Sequence, residues 1–253
     1  MTAYLGDAAA WQESWDRQQE AFIPDREERF AALLGAVDAV TDGAPPRLLD
    51  LAGGTGTISL RTLARFPDAQ VTVLDQDPVL LAIAAASLRQ RATIVAADLS
   101  GPQWAAGLPH REFDAVLTAT ALHWLPADRV AELYAEIHAV LRPGGIFANA
   151  DHMPDEALPA FTKRLMARAD ALRAARYAAG AATSWPDWWA RAADDEFLGP
   201  LAERRREIYP AADHSAEWLP PAAWHIDALR MAGFQESGVL WRGGADAAVV
   251  AIR

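Results

Sequence analysis

The sequence predicts an α/β fold, with a doubly wound and mostly parallel β-sheet that carries helices on both faces. Short apolar runs of strand length alternate with helical patterns from residue 47 to residue 150, as parallel sheets with crossover helices require. A glycine-rich turn at residues 53–56 joins the first apolar run to a helix. With 253 residues and 52% hydrophobic content, the chain can bury one sizeable core, so we expect a single domain over residues 1–253.

The glycine turn marks the predicted ligand site. Gly53, Gly54 and Gly56 follow a buried-strand pattern at residues 48–51, and backbone without Cβ atoms can turn sharply and approach a ligand closely. In doubly wound folds the ligand lies beyond the carboxyl end of this first strand. Ser59 stands where the dinucleotide fingerprint has glycine or alanine, which disfavours a pyrophosphate-binding turn.

The other elements follow from hydrophobic periodicity and turn residues. Asp25 is the expected N-cap of an amphipathic helix over residues 25–40, and Asp77 with Pro78 begins another helix. Further strands are predicted at residues 71–75, 92–96, 113–119 and 146–150. A helix is predicted before the strand at 146–150, and residues 142–145 end that helix. Residues 151–221 have no strand pattern; a helix at 222–232 and a hairpin with strands at 234–240 and 247–252 follow.

Composition excludes several classes of function. A net charge of −11 opposes binding to nucleic acid, because that affinity rests on neutralising phosphates. The absence of cysteine excludes disulfides and thiolate sites, and the histidines and carboxylates show no metal-ligand spacing. The N-terminus lacks a signal-peptide pattern, and no apolar run approaches membrane-spanning length. We therefore expect a cytoplasmic protein that binds a small molecule, without a metal, a nucleic-acid partner or a membrane partner.

Acidic residues end two of the predicted strands. Asp75 ends the second strand about 20 residues after the glycine turn, where a carboxylate can accept hydrogen bonds from both hydroxyls of a ribose. Asp98 ends the third strand and is suited to accept a hydrogen bond from an adenine amine, although a plain loop aspartate explains it nearly as well. The carboxyl ends of parallel strands meet at one edge of the sheet, so the turn and both acids predict one shared site.

With these residues, the sequence resembles the class I S-adenosylmethionine-dependent methyltransferases over about residues 37–151. Residues 49–56 resemble the first motif of that family, with Ala52 and Gly53 where glycine and a small residue or cysteine are usual. Asp75 matches the ribose-binding acid of the family.

Three further segments carry the same resemblance. Residues 97–99 match the adenine-contacting motif, residues 141–145 the proline-glycine turn before the fifth strand, and residues 120–124 the fourth motif of small-molecule members of the ubiquinone-biosynthesis and trans-aconitate types. The resemblance implies a seven-stranded sheet of order 3-2-1-4-5-7-6 with the last strand antiparallel, and S-adenosyl-L-methionine as the cofactor. The cofactor-binding residues that it implies are Arg26, Asp50, Ala52, Gly53, Gly54, Gly56, Asp75, Gln76, Asp98, Leu99, Thr118 and His123.

The chemistry implied by the resemblance needs little from the protein besides positioning. A sulfonium methyl group is already activated, so the protein must hold a nucleophile in line with it and exclude water. A base is needed only for a protonated nucleophile such as a hydroxyl or an ammonium group. His123 and His152, just past the fourth and fifth strands, are the catalytic candidates. For His123 a place in the cofactor wall or in packing weighs more, and Asp151 is expected to orient His152 or raise its pKa.

The remaining histidines, His110, His138, His214 and His225, are predicted to be structural. Aromatic residues concentrate at residues 1–40 and 152–221, two segments that resemble the helical lids of family members. Such walls favour an apolar or aromatic metabolite, although for each indole by itself a place in the lid core is the better explanation. The predicted substrate-binding residues are Trp11, Trp15, Trp124, Tyr177, Trp185, Trp188 and Trp189.

These observations favour a methyltransferase that acts on oxygen or nitrogen of a small metabolite. One alternative is a non-catalytic protein that keeps the fold and the cofactor, because methyl transfer has no diagnostic catalytic residue. Another is a nicotinamide-dependent oxidoreductase, which Ser59 and the lack of a Tyr-x-x-x-Lys pair disfavour, since Pro159 stands four residues before the single lysine, Lys163. A protein substrate is disfavoured by an enclosed aromatic lid. A homodimer formed through the helical insertion is a further expectation.

Overall fold

The computed structural model describes residues 5–23, 25–209 and 218–253. Tyr4, in the N-terminal aromatic segment, and His214, predicted to be structural, lie outside these ranges. The described residues form nine α-helices, two 3₁₀ helices (Pro102–Gly107 and Leu122–Trp124) and seven strands. The α-helices are α1 (Ala8–Phe22), α2 (Arg26–Thr41), α3 (Thr57–Arg65), α4 (Pro78–Leu88), α5 (Ala127–Val140), α6 (Pro159–Ala178), α7 (Trp185–Asp194), α8 (Gly199–Ile208) and α9 (Ala222–Met231). The strands are β1 (Arg47–Leu51), β2 (Gln70–Asp75), β3 (Ala92–Ala96), β4 (Phe113–Ala119), β5 (Leu141–His152), β6 (Glu236–Gly243) and β7 (Asp246–Ile252).

The strands form one seven-stranded sheet in the order β3-β2-β1-β4-β5-β7-β6. β1 pairs in parallel with β2 and β4, β2 with β3, and β4 with β5. β7 runs antiparallel to its neighbours β5 and β6. The predicted doubly wound fold and strand order are thereby confirmed. The carboxyl ends of the parallel strands meet at one edge, where ligands of such folds bind.

The start of β5 differs from the prediction. The sequence predicts a helix end at residues 142–145 and a strand from residue 146, whereas β5 begins at Leu141 and its pairing with β4 shifts between Phe113 and Ala115. Within this irregular stretch, a Cβ atom on Gly145 would lie 2.9 Å from the carbonyl oxygen of Phe113. The proline-glycine segment is therefore a bulge of β5 that lies close against β4, and only glycine fits there.

Helices cover both faces of the sheet and add a third cluster beyond its edge. α2, α3 and α4 pack on one face, and α5 and α9 on the other. α1, α4, α7 and α8 share the third cluster, which is built around indole rings. Of the predicted N-terminal lid segment, α1 joins this third cluster, whereas α2 belongs to the layer on the sheet. Asp25 takes the N-cap position of α2, but its carboxylate makes no capping hydrogen bond to the described residues, so that part of the prediction is wrong.

α6 lies mostly in solvent. Phe161 and Leu172 of this helix, and Leu158 at its N-cap position, are each at least half exposed. Within the described ranges, no helix is both long enough and apolar enough to span a lipid bilayer.

Candidate active site

A buried carboxylate supports the glycine turn from beneath. Asp50 Oδ2 accepts hydrogen bonds from the backbone N–H of Ser59 at 3.0 Å and from its hydroxyl at 2.6 Å. Gly53 lies directly above, because a Cβ atom on it would be 2.7 Å from Asp50 Cγ. Ser59, which departs from the dinucleotide fingerprint, therefore fixes the start of α3 to the strand before it. Asp50 is fully buried, and direct contact between its carboxylate and the cofactor stays a prediction.

Burial raises the pKa of Asp50 to about 6, against the opposing effect of its hydrogen bonds from Ser59. The ordinary value is 3.8, so between about pH 4 and pH 6 the folded protein binds more protons than the unfolded chain. This stabilising proton uptake is lost as pH rises to 6. Asp50→Asn lacks this pH-dependent contribution. Its free energy of unfolding, relative to that of wild type, should therefore rise by about 2.5 kcal/mol between pH 4 and pH 7.

Urea unfolding at several pH values measures this difference. The matched control is Asp68→Asn, which alters an exposed carboxylate in the turn before β2. A difference between Asp50→Asn and wild type that stays constant with pH would contradict the raised pKa.

Two residues without glycine's freedom have left-handed backbone at the sheet edge. Ala52 has φ of 52° at the start of the turn, and Thr120 has φ of 51° just after β4. The left-handed conformation costs a non-glycine residue about 1–2 kcal/mol, and more for a β-branched one. Ala52 is also where the family usually has glycine, so the departure noted in the sequence coincides with backbone strain. Strain of this kind concentrates at binding sites.

Asp75 lies at the end of β2 with its carboxylate against the turn. Its Oδ2 accepts the N–H of Gly54 at 2.8 Å, and its Oδ1 accepts the N–H of Asp77 at 2.9 Å. A carboxylate has about four lone-pair sites, so it can accept a ligand hydroxyl in addition to its backbone donors. Burial raises the pKa of Asp75 to about 6, although hydrogen bonds from the backbone N–H groups of Asp77, Gly54 and Gln76 act in the opposite direction. The residues around the turn therefore fit a nucleoside ligand.

The other predicted cofactor residues occupy the same edge in different ways. Asp98 is exposed, and its carboxylate accepts hydrogen bonds from the N–H and the hydroxyl of Ser100. Leu99 is buried, and its carbonyl oxygen accepts a hydrogen bond from Arg129 at 2.7 Å. Thr118 at the end of β4 is fully buried, with a hydroxyl that has no hydrogen-bond partner among the described residues.

Arg26 lies at the junction of α1 with the glycine turn. Its guanidinium donates to Asp16 at 2.7 Å, and Asp16 also accepts the hydroxyl of Thr57 at 2.9 Å. Gln12 donates to the hydroxyls of Thr55 and Thr57 at 3.0 and 3.1 Å. Burial lowers the pKa of Arg26, while Asp16 opposes this. α1 is thus tied to the first turn of α3. The charge of Arg26 is paired with Asp16, and a contact between Arg26 and the cofactor stays a prediction.

Two histidine-aspartate pairs stand side by side where β4 and β5 end. His123 Nδ1 and Asp151 Oδ1 are 2.7 Å apart, and His152 Nδ1 and Asp246 Oδ1 are also 2.7 Å apart. The two imidazole centroids are separated by 5.7 Å. The sequence predicts that Asp151 orients His152 or raises its pKa. The charge of Asp151 does raise that pKa, but its carboxylate binds the ring of His123 and only the backbone N–H of His152. Asp246, from β7, orients His152 instead.

The neighbouring charges lower the pKa of Asp151 and raise the pKa of His152, so both side chains favour their charged forms. Burial alone would raise the pKa of Asp151, but His123 holds it below the ordinary value. Burial alone would lower the pKa of His152, but Asp246 and Asp151 raise it. Arg29, buried in α2, also binds Asp246 and opposes that rise. Nδ1 of each ring is engaged by a carboxylate, so Nε2 is the nitrogen that each can offer to a ligand.

Comparison with known proteins identifies the family. Residues 48–145 match a family described as a methyltransferase domain. A trans-aconitate 2-methyltransferase of Methylobacterium radiotolerans is 34% identical over 211 residues, which cover 83% of this chain and 69% of that protein. The chain belongs to the class I S-adenosylmethionine-dependent methyltransferases. S-adenosylmethionine is accordingly the cofactor, and the glycine turn is not that of a nicotinamide enzyme.

Other relatives match this methyltransferase over shorter stretches or in fold alone. A ubiquinone/menaquinone biosynthesis C-methyltransferase, UbiE, of Methylobacterium nodulans is 39% identical over 104 residues, which cover 41% of this chain and 40% of that protein. The apo structure of the S-adenosylmethionine-dependent methyltransferase SibL has a TM-score of 0.56 at 19% identity, covering 87% of this chain and 53% of SibL. Human N-acetylserotonin methyltransferase with S-adenosylmethionine has a TM-score of 0.56 at 17% identity, covering 97% of this chain and 58% of that chain. At such identities the solved structures show the fold only.

Aromatic residues predicted to bind substrate divide into two groups in the methyltransferase structure. Trp11, Trp15 and Trp188 are buried, and Trp188 packs edge to face on both of the others, with centroids 4.9 Å apart for Trp15 and Trp188. These three form the core of the third helical cluster. Trp185, Trp189 and Tyr177 are partly buried at its margin, and Trp124 is 44% exposed next to His123. A direct contact between any of them and substrate stays a prediction.

Several residues of this region have no signal in the sequence. The sequence predicts only a hairpin turn for Asp246 and only a helix for Arg29, yet Asp246 binds both His152 and Arg29. Arg205 and Tyr209 at the end of α8 lie beside Asp77 and Gln76. The predicted structural role of His225 agrees with its burial against the hydroxyl of Tyr134 at 2.6 Å, where burial lowers its pKa to about 4.

Proposed function

We propose that this methyltransferase transfers a methyl group to an oxygen or nitrogen atom of a small, apolar or aromatic metabolite by in-line displacement. The observation that carries the proposal is the two imidazoles, each bound through Nδ1 to a carboxylate, at the sheet edge that also holds the glycine turn and Asp75. A base is useful only when the acceptor carries a proton that it must lose. Hydroxyl and ammonium acceptors meet that condition.

The chain's own residues would divide the work as follows. When bound, the cofactor supplies a methyl group on a positively charged sulfur, which is already electrophilic. Asp75 would hold the ribose, and the turn at Gly53 and Gly54 would let the backbone approach the ligand. His152 would take the acceptor's proton through Nε2 as the acceptor bonds to the methyl carbon and the carbon–sulfur bond breaks. His123 would line the same wall and hold the acceptor in line.

The acceptor class rests on charge and on the relatives. The name of the Methylobacterium radiotolerans protein indicates trans-aconitate, whose carboxylates are ionised at neutral pH and need no base. The two histidine-aspartate pairs of this chain therefore favour a hydroxyl or an amine over a carboxylate. A net charge of −11 disfavours nucleic acid and other polyanions as substrates.

The third helical cluster supports the proposal of a lid. α1, α7 and α8 pack against α4, which follows the ribose-binding end of β2, and would exclude water from the reacting atoms. We assign the lid to α1 and to the insertion at residues 152–221 within one methyltransferase domain. α6 of that insertion exposes Leu158, Phe161 and Leu172, a surface suited to a homodimer.

An acceptor panel tests the proposed chemistry. Purified protein is incubated with methyl-labelled S-adenosylmethionine and matched aromatic acceptors that carry a hydroxyl, an amine, a carboxylate or a blocked methyl ether. Mass spectrometry then locates the label on the product. Labelled methyl ether or N-methyl product from the hydroxyl or amine compounds alone is the expected result. Label on carboxylate or carbon would overturn the choice of acceptor, and cofactor binding without turnover on any compound would favour the non-catalytic alternative.

A further inference from the structure

At the margin of the third helical cluster, the side chain of Arg205 packs against two aromatic rings, close to the end of β2. The guanidinium of Arg205 lies 3.7 Å from the ring centroid of Trp189 and 4.8 Å from that of Tyr209. Arg205 Nε also donates to Asp77 Oδ2 at 2.6 Å. We call Trp189, Arg205 and Tyr209 the lid contact. It joins α7 and α8 to the first turn of α4.

The lid contact is bonded to Asp77, two residues after Asp75, the predicted ribose-binding residue. Asp77 is almost fully buried, and its other oxygen caps α4 by accepting the N–H groups of Val79 and Leu80. One carboxylate therefore fixes both the start of α4 and the position of α8.

Tyr209 faces the segment that holds the ribose acid. Burial raises the pKa of its hydroxyl, the charges of Asp75 and Asp77 raise it further, and a hydrogen bond with Gln76 opposes this. Arg205 gives the position of the ring, because its guanidinium bonds Asp77 and lies 4.8 Å from the ring centroid of Tyr209. Within the lid contact, the indole N–H of Trp189 is buried without a hydrogen-bond partner among the described residues. A buried donor of this kind calls for a ligand or a water.

We propose that the end of α8 is a wall of the cofactor pocket, in which Tyr209 contacts the nucleoside part of S-adenosylmethionine opposite Asp75. Arg205 is the positioning residue: it is anchored by Asp77 and packs against the ring of Tyr209. The inference rests on the identity of the cofactor and not on the proposed acceptor chemistry. It predicts that lid residues recognise the nucleoside and leave the amino-acid part to the glycine turn and α1.

Calorimetric titration separates this role from a purely structural salt bridge. The probes are S-adenosylhomocysteine and 5′-methylthioadenosine, which shares the nucleoside but lacks the amino-acid part. The variants are Tyr209→Ala, Tyr209→Phe, Arg205→Lys and, as the matched control on the exposed side of α8, Arg206→Ala. Thermal unfolding of each free protein shows whether it is folded.

Tyr209→Ala should weaken both ligands about tenfold and equally, because the lost contact is to the nucleoside. Tyr209→Phe should weaken both about threefold, since it removes one hydrogen bond and keeps the ring. Arg205→Lys should resemble Tyr209→Ala, because an ammonium group cannot replace a guanidinium stacked between two rings. Arg206→Ala should bind as wild type does.

Wild-type affinity in Tyr209→Ala, or a loss for S-adenosylhomocysteine without one for 5′-methylthioadenosine, would overturn the proposal. If Tyr209→Ala does not fold, Tyr209→Phe and Arg205→Lys decide it, and unchanged affinity in both would likewise overturn it. No acceptor is present in these titrations, so their outcome is independent of the acceptor panel.

Discussion

Asp75→Ala should weaken binding of S-adenosylhomocysteine about 1,000-fold. The carboxylate keeps acceptor capacity beyond its backbone donors, and each charge-assisted hydrogen bond to a ribose hydroxyl would contribute about 1.5–3 kcal/mol. The substitution also removes the acceptor for the N–H of Gly54, so the turn loses part of its support. Calorimetric titration of the variant and the wild type measures the difference.

The pKa of Asp75 adds a second signature to the same titration. The carboxylate accepts ribose hydroxyls only when it is ionised, and its pKa of about 6 lies well above the ordinary 3.8. Wild-type affinity should therefore fall about tenfold from pH 8 to pH 5, while Asp75→Ala should show little of that dependence. Asp68→Ala, in an exposed turn, is the control and should bind as wild type does. Near-wild-type affinity of the Asp75→Ala variant would show that Asp75 does not bind the cofactor.

Most of the fold could be predicted because it depends on local sequence patterns. Strand and helix periodicities, with cap and turn residues such as Asp77 and Pro78, act within a few residues of the chain, and the structure has Asp77 capping α4 as expected. The bulge at Gly145 could not be predicted, because it depends on the approach of a carbonyl group of β4. Asp25 failed as a cap because residue type permits a capping bond without requiring it.

The candidate site is harder to predict from the sequence, because its contacts join distant parts of the chain. Asp246 is 94 residues from its partner His152, and Arg205 is 128 residues from Asp77. Adjacent strand residues point to opposite faces of the sheet, so a carboxylate next to a histidine in the sequence need not bond its ring. Asp151 therefore turns its carboxylate toward His123 and not toward the ring of His152.

His152→Gln should lower kcat about 1,000-fold with the acceptor that the panel identifies, within the range that general base catalysis contributes. Glutamine keeps the size and polarity of the side chain but cannot take up a proton at neutral pH. Affinity for S-adenosylhomocysteine should stay within about twofold, since the expected loss is in chemistry. A variant that keeps wild-type kcat would show that the acceptor loses its proton to another group or carries none. His110→Gln, at an exposed position, is the matched control and should keep wild-type kcat.

Asp246→Asn distinguishes a base from a packing histidine. Four groups surround the ring of His152: Asp246 from β7, Asp151 from β5, Arg29 from α2 and His123 after β4. Burial lowers the pKa of His152, but the net effect of its neighbours raises it above 6.5, so the neutral base forms only as pH rises through that higher value. Wild-type kcat/KM should therefore rise with pH and then level off, and removal of the Asp246 charge should move the midpoint to lower pH. The same shift should appear in the NMR titration of the His152 ring without any acceptor present, because Asp246 acts on the proton and not on the substrate. A midpoint that stays in place for Asp246→Asn, in rate and in NMR alike, would mean that Asp246 does not control the proton of His152.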